Sequence, residues 1–237
     1  AKIMSAHFGQ SIANMGFEDQ RLAVCAAGAL LSYLTETQKN ALKHIMNAQA
    51  YDACRYMALD RVAMKNLELV ETARGKSRRG SLLWILDQTR TAMGSRLLRS
   101  WIERPLKERT AIERRLDAVA QLMANPMASD SLREVFDGIY DVERLLSRIA
   151  YDAVNARDCL ALTATLESIP MIKDYGQAFD APLIKNTLDT LDPMTDLTDI
   201  LRRAISPDAP LSVRDGGIIR DGYSAELDEL RQVGGHG

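Results

Sequence analysis

Cysteine, histidine and aromatic side chains are all scarce in this 237-residue chain, which has three Cys, three His and only 5% Phe, Trp and Tyr. Cys25, Cys54 and Cys159 form an odd, scattered set without Cys-x-x-Cys spacing, which argues against a disulfide framework and against a structural zinc site. Cys25 and Cys159 fall on helix stripes and read as small core hydrophobes. His7, His44 and His236 lie far apart, with no carboxylate or cysteine at ligand spacing, so no metal site is expected. No apolar run approaches the roughly 20 residues of a membrane span, and no charged-then-apolar leader opens the chain. A soluble intracellular protein is the expectation. Gly-x-Ser-x-Gly, His-Glu-x-x-His and the dinucleotide fingerprint are also missing, so these residues offer no catalytic constellation and no enzyme activity of their own is expected.

What is present is apolar and charged in ordinary globular proportion, 46% and 26%, enough for one large or two modest domains. The net charge of −2 hides an asymmetry. Residues 74–109 hold ten Lys or Arg against three acids, whereas 174–199 holds six Asp against Lys185. A segregated basic segment suits a nucleic-acid or phosphate partner, or could pair with that acidic segment. Within it, Met93, Leu97 and Trp101 recur at helical spacing beside Leu98 and Ile102, with Arg96, Arg99 and Arg104 off the stripe. This predicts an amphipathic helix with its stripe in the core, stopped near Glu103 by Pro105.

Helical signals dominate elsewhere. Thr110-Ala-Ile-Glu113 reads as a capping box opening the stripe Ile112, Leu116, Val119, Met123, which Asn125-Pro126 ends. Ser131 to Glu134 repeats the device, Asp141 caps a helix with Val142, Leu145, Leu146 and Ile149, and Asn155 starts one with Cys159, Leu162, Leu166 and Ile169. Short connections make these antiparallel neighbours, so the fold class is mainly all-α, an elongated helical bundle. Near the amino end, Asp19 is a candidate cap for a helix facing inward through Leu22, Ala26, Ala29 and Tyr33. Extended chain is expected at 57–59 and 66–69, and a loop without an apolar anchor beyond Ala73 at 72–80. Toward the carboxyl end, Asp215-Gly216-Gly217 between two apolar pairs predicts a β-hairpin at about 211–220, and a polar helix starts at Glu226.

Three motifs have ordinary explanations. Gly75-Lys76-Ser77 imitates a phosphate loop, but Val70 stands where the earlier glycine belongs, and no strand-to-helix frame surrounds it. Paired carboxylates such as Asp141 with Glu143 lie on different helix faces and read as caps and solvated charges. Phe136, Tyr140, Tyr151 and Tyr175 could stack on bases, but their spacing places them among packing positions.

Several strings in order nonetheless resemble the MutS mismatch-repair family. They are Asn66-Leu-Glu-Leu69 before the basic loop, Ser81-Leu-Leu-Trp-Ile-Leu-Asp87, and Met93-Gly-Ser-Arg-Leu-Leu-Arg-Ser-Trp101 with Arg104-Pro-Leu106. Asp141-Val-Glu-Arg-Leu-Leu-Ser-Arg-Ile149, Ala156-Arg-Asp158, Val213-Arg-Asp-Gly-Gly-Ile218 and Glu226-Leu-Asp-Glu-Leu-Arg231 follow. By this resemblance residues 1–55 look like the end of a connector domain, and 56–237 like the first part of a core, or lever, domain truncated near the start of the clamp. It implies a transmission segment linking an ATPase domain to a DNA-binding clamp, with no chemistry of its own. ATP and magnesium are implied for the full-length protein and no cofactor for these residues. The implied partners are double-stranded DNA with mismatches, a second copy through domains outside this sequence, and a MutL-type repair protein, in the bacterial cytoplasm at the nucleoid. The family's mismatch-reading and ATP-hydrolysing residues match no position here. The candidate DNA contacts are therefore the basic-loop residues Arg74, Lys76, Arg78 and Arg79, binding phosphates without sequence preference. The alternative is a helical protein-interaction scaffold using the basic 74–109 face.

Overall fold

A computed structural model describes residues 1–37, 42, 45, 47, 48, 50 and 53–234. The described residues are dominated by helix, and their only β pairings are two isolated antiparallel bridges, Tyr56 with Leu106 and Ile205 with Ile219. The all-α fold class is observed. The chain divides into two compact units, one of 1–54 with 146–153 and the other of 55–145 with 154–237.

In the first unit α1 (Lys2–Phe8) packs on α2 (Arg21–Thr37) around buried Met4, Met15, Phe17, Val24 and Leu31. The inward face of α2 runs through Val24, Gly28 and Leu31, whereas Leu22, Leu30 and Tyr33 are exposed. The inward face is therefore not the expected one: Ala23 and Ala27 pack, partly buried, against this core, and an alternation of small and large apolar residues around α2 does not by itself say which side meets α1. His7 has Nε2 2.8 Å from the Ile45 carbonyl, while His44 and His236 lie outside the described residues.

The second unit opens with a short antiparallel pairing, in which Met57 N–H donates to Pro105 O at 2.8 Å and Lys107 N–H to Arg55 O at 3.2 Å. Extended chain is expected at 57–59 and 66–69; residues 57–59 are free of helix, but Asp60 caps a helix, α3 (Arg61–Asn66), through a 2.6 Å bond from Ala63 N–H, and 67–69 form the turn that follows it. After α4 (Leu82–Leu86) and α5 (Ala92–Glu103), which stops where Pro105 dictates, come α6 (Arg109–Ala124) and α7 (Pro126–Asp137). The Thr110 capping box does not form, because α6 starts one residue before Thr110, whose hydroxyl donates to Glu108 Oε1 at 2.5 Å. Likewise the Ser131 box is internal to α7, which begins directly after Asn125 with Pro126 in its first turn; the Ser131 hydroxyl donates back to Met127 O at 3.1 Å. Proline lacks only an N–H that the first turn leaves free anyway, so it starts this helix as well as ending the last.

Beyond α8 (Val142–Ala150), α9 (Ala156–Glu167) carries the predicted Asn155 cap, with Asp158 closing the reciprocal half of a capping box. α10 (Ile169–Gly176), α11 (Pro182–Thr190) and α12 (Thr195–Ala204) complete the packing, and α13 (Ala225–Gly234) follows. α9 packs on α12 and α10 on α7, giving three adjoining cores. Their centres are Leu145, Leu162 and Leu166; Ala156, Ala204, Ile205 and Ala209; and Leu132, Ile172 and Phe179.

The β-hairpin expected at 211–220 is not formed. Val213–Asp215 is a 3-10 turn, and the chain beyond Gly216 and Gly217, both at positive φ, pairs instead with the end of α12: Ser206 N–H donates to Ile218 O and Arg220 N–H to Ala204 O, each at 2.8 Å. Ile218 and Ile219 gain the α9–α12 core by this choice, which pairing with exposed Leu211 and Val213 would not supply.

At Gly176 the Leu188 side chain of α11 lies directly against α10. A Cβ there would lie 2.5 Å from a Leu188 methyl that is itself packed in the Phe179 core. Gly176→Ala should therefore destabilise by about 1–3 kcal/mol, reversing the stabilisation of about 1 kcal/mol that removing a helical glycine otherwise brings. Urea unfolding distinguishes the signs; a stabilised variant would show that the two helices have room between them.

Candidate nucleic-acid interface

The basic loop is built by local hydrogen bonds. Thr72 N–H donates to Ser77 O at 2.9 Å and Ser77 N–H to Thr72 Oγ1 at 3.2 Å, closing a turn whose tip, Gly75 and Lys76, has positive φ at both positions. Ala73 N–H donates to Glu68 Oε1 at 2.7 Å. At the far end Ser81, 0% exposed, donates its hydroxyl to Arg78 O at 2.7 Å and accepts from Trp84 N–H at 3.2 Å to cap α4. Thus a segment with almost no apolar side chains, expected to lie unanchored, is anchored through its backbone.

Asp87 is the main anchor, and sequence reading missed it. Its carboxylate pairs with Arg78, accepts the Thr89 and Ser95 hydroxyls at 2.5 Å, and is only 6% exposed. Those hydroxyls, Ser95 foremost, and then the Arg78 charge bring its pKa down from 3.8 to about 2. The available signal was Asp87-x-Thr89 next to a helix start, the pattern of an Asx turn. Arg96 is anchored in turn. Nη1 and Nη2 donate to Asp141 at 3.0 and 2.6 Å and Nε to Glu143 Oε2 at 2.8 Å, tying α5 to the cap of α8. The bond to Asp141 holds the guanidinium proton above its ordinary range, and Asp141 is held below the usual carboxylate range by the same contact. Charge repulsion along the arginine-rich face is thereby offset inside the fold. The ion pairs of the basic segment run to Asp87, Glu103, Glu113, Asp137, Asp141 and Glu143, while Asp180 of the acidic segment pairs with Lys185.

The four predicted contact residues are all exposed on one loop but are not equivalent. Arg78 is committed to Asp87, and Arg79 sits 6.0 Å from the Trp84 ring. Arg74 and Lys76 have no ion pair among the described residues, and Lys76 faces an open cavity of about 300 Å³ together with Arg78, Arg96 and Arg99. Gly75-Lys76-Ser77 is followed by Arg78 to Gly80 and no helix, so its N–H groups do not form the helix N-terminus that a phosphate loop needs.

α5 itself corrects an expectation. Its least exposed face carries Gly94, Ser95, Leu98 and Ile102, whereas Leu97 is 54% exposed and Trp101 lies at the surface under the Arg115 guanidinium, 3.6 Å from the ring centroid. Partial burial lowers the Arg115 pKa. The α6 stripe Ile112, Leu116, Val119, Met123 is likewise exposed, up to 76% at Met123. Both stripes are regular, but periodicity reveals only that a face is apolar and not what lies against it. Tyr140 and Tyr151, read as packing positions, are exposed too.

Comparison with known proteins matches residues 62–233 to MutS domain III and residues 2–46 to MutS domain II. The chain is 45% identical to a DNA mismatch repair protein MutS of Halothermothrix orenii over 94% of its length, and 46% identical to that of a Geobacillus species over 89%. A match to the MutS of Caldanaerobacter subterraneus covers the whole chain at 38% identity. In each case it spans about a quarter of the relative's length. The ordered strings, the helical fold and a domain III match across most of the chain agree, and the chain belongs to the MutS family.

Proposed function

We propose that this chain is a transmission segment of a DNA mismatch-recognition ATPase, acting in mismatch repair by linking an ATPase domain to a DNA-binding clamp. In this reading residues 1–55 are the end of the connector domain and 56–237 the first part of the lever. The domain III match over 62–233 carries the reading. Supporting it, the arginine-rich α5 is bound to its neighbours by carboxylates and has no cluster of side chains suited to chemistry. A stiff helix advances about 1.5 Å per residue, and it relays displacement when it moves as a unit with what it is fastened to. The fastening here is Arg96 to Asp141 and Glu143. Bound ATP and magnesium, pairing of two copies and contact with a MutL-type protein belong, in this proposal, to other domains, and the setting is the bacterial cytoplasm. Arg74 and Lys76, and less so Arg78 and Arg79, supply sequence-independent phosphate contacts.

The test is Arg96→Ala in a full-length mismatch repair protein carrying these residues. ATP-driven release from mismatched DNA should slow by about tenfold, within the usual size of coupling between sites. Hydrolysis without DNA should be unchanged. A folded variant with full ATP-driven release would overturn the transmission role. The exposed Leu97 and Trp101 favour a second reading, a scaffold gripping a protein through this face, which predicts binding that resists salt.

A further inference from the structure

Arg203, Arg220 and Tyr223 line an open cleft of about 300 Å³ in the second unit, well apart in sequence from the basic loop. Arg203 is in the last turn of α12 and Arg220 lies 17 residues on. They share one cleft because the Ile205–Ile219 bridge folds the chain back, Arg220 N–H donating to Ala204 O at 2.8 Å. Among the described residues neither guanidinium has an ion pair or a hydrogen-bond partner. The one carboxylate in the lining, Asp221, is engaged by Arg231 at 2.5 Å.

The rim is fixed before any ligand arrives. Arg231 Nη2 donates to Ile219 O at 2.9 Å, Gly222 N–H donates to Asp228 Oδ2 at 2.9 Å, and Gly222 holds a φ of +82°, a conformation other residues rarely adopt. A lone Arg203 would be explained by the carbonyls at the end of α12. A second unpaired arginine lining the same cleft is not, since two like charges without a counter-ion repel. Planar guanidiniums with all five N–H donors available match the oxygens of a phosphodiester, and a tyrosine hydroxyl adds a further donor.

We infer that the cleft of Arg203, Arg220 and Tyr223 is a phosphate-binding site that grips the DNA backbone, a second point of contact besides the basic loop. This rests on the reading of the chain as part of a DNA-binding protein. Each neutralised phosphate contributes about 0.9 to the slope of log affinity against log salt.

The 237-residue chain is titrated with a fluorescent 20-base-pair duplex over a salt series by anisotropy. R203Q/R220Q should lower the slope by about 1.8, R203K/R220K should leave it unchanged because both charges remain, and circular dichroism should show all variants helical. An unchanged slope in R203Q/R220Q, with R74Q/K76Q still lowering it, would overturn the cleft and leave DNA contact by the loop standing. Equal loss in the lysine pair would show an effect through the fold and also overturn the assignment. No binding by the unsubstituted chain at low salt would remove the DNA-contact reading and the cleft with it. Inorganic phosphate, titrated alone and followed by arginine Nε–H chemical shifts, should move Arg203 and Arg220 together; shifts confined to other arginines would count against the site.

Discussion

Phe179→Ala should destabilise the second unit by about 3–5 kcal/mol, the largest loss expected from any single truncation in this chain. Phe179 is 1% exposed and sits with Leu132 and Ile172 in a core completed by Phe136, Ile184 and Leu188. Truncation removes its transfer free energy and leaves a cavity, because α10 is held against both α7 and α11, the latter through a short connection, and the three cannot collapse together. Leu97→Ala is the matched control. At 54% exposure Leu97 should lose less than about 1 kcal/mol despite belonging to the more regular stripe. Urea unfolding decides it. A larger loss at Leu97 than at Phe179 would mean that the core lies on the other face of α5.

Removing the Asp87 carboxylate should be the next most damaging change near the loop, about 2 kcal/mol for Asp87→Ala, since Arg78, Thr89 and Ser95 lose a charged acceptor at once. The pH dependence has a definite sign. With a folded pKa of about 2 against an unfolded value near 3.8, the folded state binds the proton less tightly. The contribution of Asp87 is therefore full above the unfolded value and disappears as pH falls from about 4 toward 2. Asp87→Asn should flatten the acid limb of a stability–pH curve in that interval and leave the neutral limb parallel to the original. An acid limb of unchanged steepness would show that Asp87 is no anchor.

The same physics explains which sequence expectations survived. Asn155 with Asp158, Asp141 before α8 and Pro105 after α5 were legible because capping and proline geometry are satisfied within four residues. The Thr110 and Ser131 boxes failed although their patterns were equally good. Glu108 and Asn125-Pro126 offered caps two and six residues earlier, and Asn125 satisfies the free Ala128 N–H there, so each helix starts at the earlier position. The hairpin failed for a related reason, a better apolar partner for Ile218 and Ile219 lying outside the local sequence. At the candidate interface, the four basic residues were visible as charge, but their division into committed Arg78 and unpaired Arg74 and Lys76 was not. That depends on where Asp87 points.

Sequence alone determined the helical class, the family and the main helix stops, because each follows from periodicity, local backbone chemistry or an ordered set of strings. Only the tertiary structure decided which apolar stripes are core. It left Leu97, Leu116 and Met123 outside and placed Phe179 inside, since burial depends on what packs opposite and not on a helix's own pattern. Tertiary structure also decided which arginines remain available to a ligand. Charge is a property of the residue, but its neutralisation requires a carboxylate within about 4 Å, and Asp87, Asp141 and Glu143 reach that distance only through the fold.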